Sequence, residues 1–336
     1  MSSTTEVITF GDIYLDIINR TRASSGNAAT VVLAKRYANQ ALVDIHRVPG
    51  NKFSWAHRPG MLITHAPYTT GTVSIAAATR TTVTGSSTLW NTAVTGFGFN
   101  NARVGGKLKF AGVNDISEVS AVGSDTAITL ANRYVGDALT DSTYTYFEDT
   151  YALASDFLDF VDVHMFNTDL NIPIIGEQDF RRRYGRNDIA GKPKRACHIQ
   201  LGFSGDTTPR HRVVLNPYPD NEYSLPYWYV TTNLAVTSAG VEQTSMSNDT
   251  DEPIVPRAMR HAIVFHAVYQ YYLFLKDDTR STEAKGEYVD LMKRIAGETN
   301  VGEDRPQFIV RRKRRWFPQR FDVGDRFDQL RDRWWR

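Results

Sequence analysis

The sequence predicts an α+β protein: an antiparallel helical bundle made from N- and C-terminal helix pairs, a small all-β barrel or sandwich inserted between them, a second β region, and an extended C-terminal arm. Three observations carry this expectation. Apolar residues recur at helical spacing up to His46 and again from Pro256 to Ile295. From Tyr68 to Tyr151 that period vanishes, and short alternating runs rich in Thr, Val, Ser and Gly replace it. Beyond Gly302 the chain turns rich in arginine and tryptophan.

Taken in order, residues 1–66 read as a helical hairpin. Thr9 and Asp12 have capping-box spacing, in which the hydroxyl accepts a backbone N–H and the carboxylate reaches back. Phe10, Ile13, Tyr14 and Ile17 follow on one face. Ser24-Ser25-Gly26-Asn27 makes the turn, since Gly26 is free to take positive φ. The second helix buries Val31, Ala34, Ala38, Leu42 and Ile45, opposite Lys35, Arg36, Asn39 and Asp44, and Pro49-Gly50 ends it.

Residues 67–152 read as the inserted β domain. Its expected strands are Thr72–Ile75, Thr81–Thr84, Lys107–Phe110, Asp115–Ser120, Ala127–Leu130 and Thr143–Phe147. Gly85-Ser86-Ser87, Asn100-Asn101 and Gly123-Ser124-Asp125 separate them. Residues 153–252 read as a second β region with a short helix at Glu177–Arg183, strands at Ala196–Phe203, Arg212–Leu215 and Tyr227–Thr231, and a polar loop over 237–252. Residues 253–300 return to helix. Pro256 suits a first turn, and Met259, Ile263, Ala267, Tyr271 and Phe274 share a face. Ser281 is the expected cap of the last helix and Gly297 its expected stop. Neither amphipathic pair can bury its face alone, so a shared bundle is the expected solution. Residues 301–336 are left as the arm.

Composition bounds the function. The 336 residues are 41% hydrophobic and 23% charged, enough for a sizeable core and for two or three folding units. No apolar run approaches the ~18 residues of a membrane span, and the start lacks a secretory pattern, so no membrane association is expected. Cys197 is the sole cysteine, which excludes an intramolecular disulfide or a thiolate cluster; it reads as a small buried hydrophobe. Residues 303–336 hold 11 basic and 6 acidic groups, a net charge of +5, and the remainder carries −3.

Motifs for chemistry are missing. There is no GxxxxGK[ST] loop, no HExxH and no GxSxG elbow. Gly96-Phe97-Gly98 is too short for a dinucleotide fingerprint, and His261 and His266 project about 140° apart on a helix, a poor geometry for one metal. Asp156, Asp159 and Asp162 read as a solvated face or cap rather than a catalytic pair, and Asn248-Asp249-Thr250 matches a glycosylation sequon without a secretion signal. No enzymatic activity and no cofactor or metal are expected.

The arm is the informative part. Phe308, Arg311, Arg312, Arg314, Arg315, Trp316, Phe317, Arg320, Phe321, Phe327, Trp334 and Trp335 join cations to large rings. Arg and Trp anchor interfaces, and a tail that orders on binding can wrap a large surface, so docking on a protein partner is the leading reading. Guanidiniums on phosphates with rings on bases is the second, and a solvated tail the third.

The order of segments resembles tailed-bacteriophage head-to-tail adaptors, also called connector or tail tubular protein A-like proteins. The resemblance runs through Thr9-Phe10-Gly11-Asp12, Ala34-Lys35-Arg36-Tyr37-Ala38-Asn39-Gln40-Ala41, Gly71-Thr72-Val73-Ser74, Leu89-Trp90, Gly106-Lys107-Leu108-Lys109-Phe110, Val214-Leu215-Asn216-Pro217-Tyr218-Pro219 and the helix from Pro256 to Lys276-Asp277-Asp278. It covers the chain patchily from Thr9 to Gly297 and does not reach the arm.

The resemblance implies a structural subunit of a closed ring, a dodecamer, beneath the portal protein in the virion neck, made in the host cytoplasm. The implied partners are the portal, copies of the chain, and the next tail component, a nozzle or tail tube. Genomic DNA passes through the ring without sequence-specific binding. The bundle and arm face the portal and neighbouring subunits. Three alternatives stay open: a nozzle-like tail-tube ring, an adaptor with carboxylate-based peptidoglycan hydrolase activity, and a DNA-binding protein acting through the basic arm.

Overall fold

The computed structural model describes residues 7–47, 53–96, 99–162, 164–167, 170–185, 187–203 and 210–299. The twelve docking residues expected in the arm lie outside them. In chain order the described elements begin with α1 (Phe10–Thr21), α2 (Ala28–His46), β1 (His57–Ile63), β2 (Thr72–Ile75), β3 (Thr82–Ser86), β4 (Lys107–Phe110), β5 (Ile116–Ser124), β6 (Ala127–Leu130), β7 (Leu139–Ser142) and β8 (Tyr144–Phe147). They continue with β9 (Thr150–Ala152), β10 (Phe157–Phe160), β11 (His164–Asn167), β12 (Leu170–Ile175), α3 (Glu177–Tyr184), β13 (Arg195–Leu201), β14 (Arg210–Asn216) and β15 (Ser224–Thr231). Last come β16 (Ala235–Val236), β17 (Glu242–Gln243), β18 (Glu252–Pro253), α4 (His261–Phe274) and α5 (Asp278–Thr299).

This order corrects the expected fold class. The chain is built mainly of sheet, and a helical bundle is not its organising core. Both strand-built cores explain why. One gathers Val73, Val83, Trp90, Leu108, Phe110, Val119, Ile128 and Tyr144 from β2 to β8 and the loops between them. The other gathers Leu62, Tyr151, Phe157, Met165, Val213, Leu225 and Tyr227 from β1 and β9 to β15. Residues 57–63, placed in the helical hairpin by the sequence reading, form β1 and pair antiparallel with β15, so that Gly60 faces Tyr227.

The first core lies inside a seven-stranded sheet of order β7-β2-β3-β6-β5-β4-β8. Its two end strands are one run of chain with only Thr143 between them, which curls the sheet toward closure as a small barrel. The second core lies between a three-stranded sheet, β1-β15-β10, and a five-stranded one, β11-β12-β13-β14-β9. β12 and β13 run parallel; the other pairs in these two sheets are antiparallel.

Helices α1, α2 and α4 pack against one another as a separate layer. The capping box at Thr9 and Asp12 forms: the hydroxyl accepts from Asp12 N, and the carboxylate accepts from Thr9 N at 2.9 Å. Ala34, Ala38, Ala41, Leu42 and Ile45 are buried along α2. The layer is joined to the sandwich where the buried His46 Nε2–H donates to Thr231 O at 2.6 Å. The polar loop over 237–252 is not free. It contributes β17 and the start of β18 to a small sheet with β16, and Phe10 N and Gly11 N donate to the carbonyls of Asp251 and Asp249. At the other end, Ser281 lies inside α5 and donates its hydroxyl to Asp278 O; Asp277 accepts from Arg280 N instead. Gly297 does not stop α5, which runs to Thr299.

The chain divides into two units, Met1–Val289 and Asp290–Arg336. The described part of the second is the end of α5, where Lys293 and Asp290 lie 3.5 Å apart.

Candidate interaction cleft

Barrel and sandwich meet at a cleft of about 360 Å³, near the lower end of the ~300–1,000 Å³ of ordinary ligand pockets. Its walls come from distant points of the sequence. β1 supplies Met61, Leu62 and Ile63, and the chain just after β1 supplies His65. The segment before β4 supplies Phe99 and Arg103, the β8–β9 link supplies Glu148, and β9 supplies Tyr151. Phe203 and Arg212 close it from the sandwich side.

One polar network fixes this wall. Glu148 Oε1 accepts from Arg103 Nε at 2.9 Å and from the Tyr146 hydroxyl at 2.6 Å, and its Oε2 accepts from Arg103 Nη2. The same Tyr146 oxygen accepts from Arg103 N at 2.8 Å. Tyr151 donates to Glu148 O at 3.0 Å. Arg103 Nη2 also lies 2.6 Å from His65 Nε2. A guanidinium only donates, so His65 Nε2 is the acceptor and its ring is neutral. Burial lowers the His65 pKa, in agreement, so its 3.7 Å approach to Glu148 is not an ion pair. Burial alone would lower the Arg103 pKa too, but the hydrogen bond and charge of Glu148 raise it and keep the cation.

Both arginines stand over rings. Arg103 lies 4.3 Å from the Phe99 centroid and Arg212 lies 4.1 Å from that of Phe203. Gly105, at φ +84°, lets Phe203 come this close: a Cβ there would lie 2.2 Å from the ring.

Behind the cleft a second network clamps the barrel to the sandwich. Asp149, 1% exposed, accepts from Lys107 Nζ at 2.5 Å, from Asn187 Nδ2 at 3.2 Å and from the Thr150 hydroxyl at 2.9 Å. Asn187 goes on to Leu215 O and accepts from Tyr218 N. Phe147 stacks on Tyr218 with centroids 3.9 Å apart.

Residues 112–313 match the family model of the SU10 adaptor protein. The chain belongs to the SU10 adaptor family. It is a phage adaptor-type structural protein, and hence a virion component that meets other head or tail parts. No curated protein matches the chain.

For an adaptor-family member, the remaining sequence candidates fall as follows. Cys197 is buried on β13, and burial pushes its thiol up to about 11, far from a reactive thiolate. His266 is packed edge-on against Tyr269 and Tyr288. Asp156 is not part of a solvated face: it accepts from the Tyr229 hydroxyl at 2.8 Å and the Thr231 hydroxyl at 2.7 Å, fixing the end of β15. Among the described residues no group of three His, Cys, Asp or Glu is placed to hold a metal. No helix among them is long and apolar enough to cross a membrane.

Sequence reading missed the cleft entirely. Its residues carry no shared motif, and only β1 pairing with β15 and β9 pairing with β14 bring them together. The nearest available signal was Arg103 and Glu148, an unlike-charged pair flanking a predicted strand at each end of the β domain.

Proposed function

We propose that the chain is a head-to-tail adaptor subunit of the connector or tail tubular A-like kind. It joins others of its kind in a closed ring beneath the portal, links capsid to tail, and lines the passage of the DNA. The observation that supports this most is the SU10 adaptor match over residues 112–313. The rigid junction of barrel and sandwich suits a part that transmits load between neighbours, since Asp149 and Glu148 tie the two together through groups that are nearly buried. The arginine- and tryptophan-rich arm is the element proposed to dock on the portal or on a sibling subunit. The role is mechanical and needs no turnover of a substrate.

Electron microscopy of the purified chain mixed with portal particles tests this. Rings seated on the portal vertex are the expected result; a chain that stays monomeric and unattached overturns the reading. A turbidity assay on purified cell walls separates the hydrolase alternative, with no clearing expected.

A further inference from the structure

The register of the two sandwich sheets determines which backbone groups point into the cleft beside Arg103. Thr64 N donates to Tyr223 O at 3.0 Å, in line with the β1–β15 ladder. Trp228 O instead accepts from Val161 N, on the β10 side of β15. Successive strand residues turn their backbone groups to opposite sides. Arg58, Gly60 and Leu62 therefore bond to β15, and Pro59, Met61 and Ile63 turn theirs away. On β9, Leu153 N donates to His211 O and Asp149 O accepts from Leu215 N. Tyr151 thus faces β14, and Thr150 and Ala152 turn away.

β1 and β9 are each the terminal strand of their sheet, and both line this cleft. Sheet edges with unpaired donors and acceptors are the usual places where another chain adds a strand. Pro59 has no N–H, which confines addition on β1 to Met61 and Ile63. Their side chains, 58% and 47% exposed, lie on the outer face of the sheet beside Trp228, 50% exposed. An added strand would cover this uncovered apolar surface on one face and fill the cleft on the other.

Charge selects the occupant. The lining carries two guanidiniums, Arg103 and Arg212, against one carboxylate, Glu148, and His65 is neutral. A strand from the chain's own arm would bring Arg305 and the Arg311–Arg315 run into a wall that is already cationic. We infer that the cleft accepts an extended, β-branched segment of a different protein, flanked by carboxylates, which pairs with the β1 edge at Met61 and Ile63. The adaptor reading enters only in naming that protein as another virion component.

The probe is a peptide of alternating Thr and Val with Asp at both ends, used with the full-length chain. Its controls are the same peptide with Lys ends and one N-methylated at alternate amides. Amide exchange followed by NMR should slow at Met61 and Ile63 by about tenfold or more, and stay unchanged at Leu62, whose N–H is already in the ladder. The Lys-ended peptide should bind about tenfold more weakly, and the N-methylated one not at all. Met61→Pro removes one outward donor and should abolish binding while the melting temperature stays the same. If Met61→Pro unfolds the chain, the exchange pattern of the unaltered protein decides. The inference is overturned if the three peptides bind alike, if none binds, or if Leu62 is protected along with its neighbours. Self-association of the peptide-free chain that Met61→Pro abolishes also overturns it, because the edge would then pair with a second copy. None of these readouts needs portal assembly, so a chain that fails to seat on the portal leaves this result standing.

Discussion

Asp149 shows what a single side chain does here. It is buried, its charge is met by Lys107, and its remaining capacity is taken by Asn187 and Thr150. Asp149→Ala leaves the Lys107 cation and the Asn187 donor facing an apolar gap. The expected cost is about 2–4 kcal/mol, a little below that of breaking a fully buried pair because Lys107 reaches solvent; the urea unfolding midpoint measures it. Asp251 works differently. Burial would raise its pKa, but donation from Asn248 N, Ser247 N and Gln243 outweighs this and holds the carboxyl below its ordinary range. A folded pKa below the unfolded one gives stability that is present above ~4 and lost as pH falls through the folded value. Asp251→Asn should therefore destabilise at pH 7, and its deficit should shrink steadily in melts taken from about pH 4 downward. An unchanged deficit across that range would show that the carboxylate charge is not what the loop uses.

Among the elements, α1 was legible because everything that starts it is local. The hydroxyl of Thr9, the carboxylate of Asp12 and the apolar stripe behind them lie within a few turns of chain. Thr9→Ala removes the cap and should cost about 1 kcal/mol, read as a lower unfolding midpoint with the helix content of the folded state kept. The strands β2, β4 and β6 were legible for a similar reason, since each alternates in burial over four residues. β1 was not. His57-Arg58-Pro59-Gly60-Met61-Leu62-Ile63 has a proline, a glycine and no clean alternation, so no local rule makes it a strand. Its state is decided by β15, whose partner residues lie more than 150 positions away. Gly60 records that dependence: a Cβ there would lie 2.3 Å from the Tyr227 ring, so the position is small because a distant strand packs its tyrosine there.

For the whole molecule, truncation after Gly302 removes the cationic arm and leaves every described residue in place. The expected product is a folded, soluble chain whose ring no longer seats on portal particles in electron micrographs; assembly that survives truncation would assign the contact to the globular body. The sequence by itself determined the composition of the arm, the absence of local catalytic motifs, and the helices and short strands whose periods are written in neighbouring residues. The tertiary structure decided that sheets rather than a bundle organise the chain, and it alone assembled the cleft. The physical reason is range. A cap or an alternating run is stabilised by atoms a few residues away. By contrast, the edge of β1, the Arg103–Glu148 wall and the Asp149 clamp exist only after strands far apart in sequence have paired and brought their side chains together.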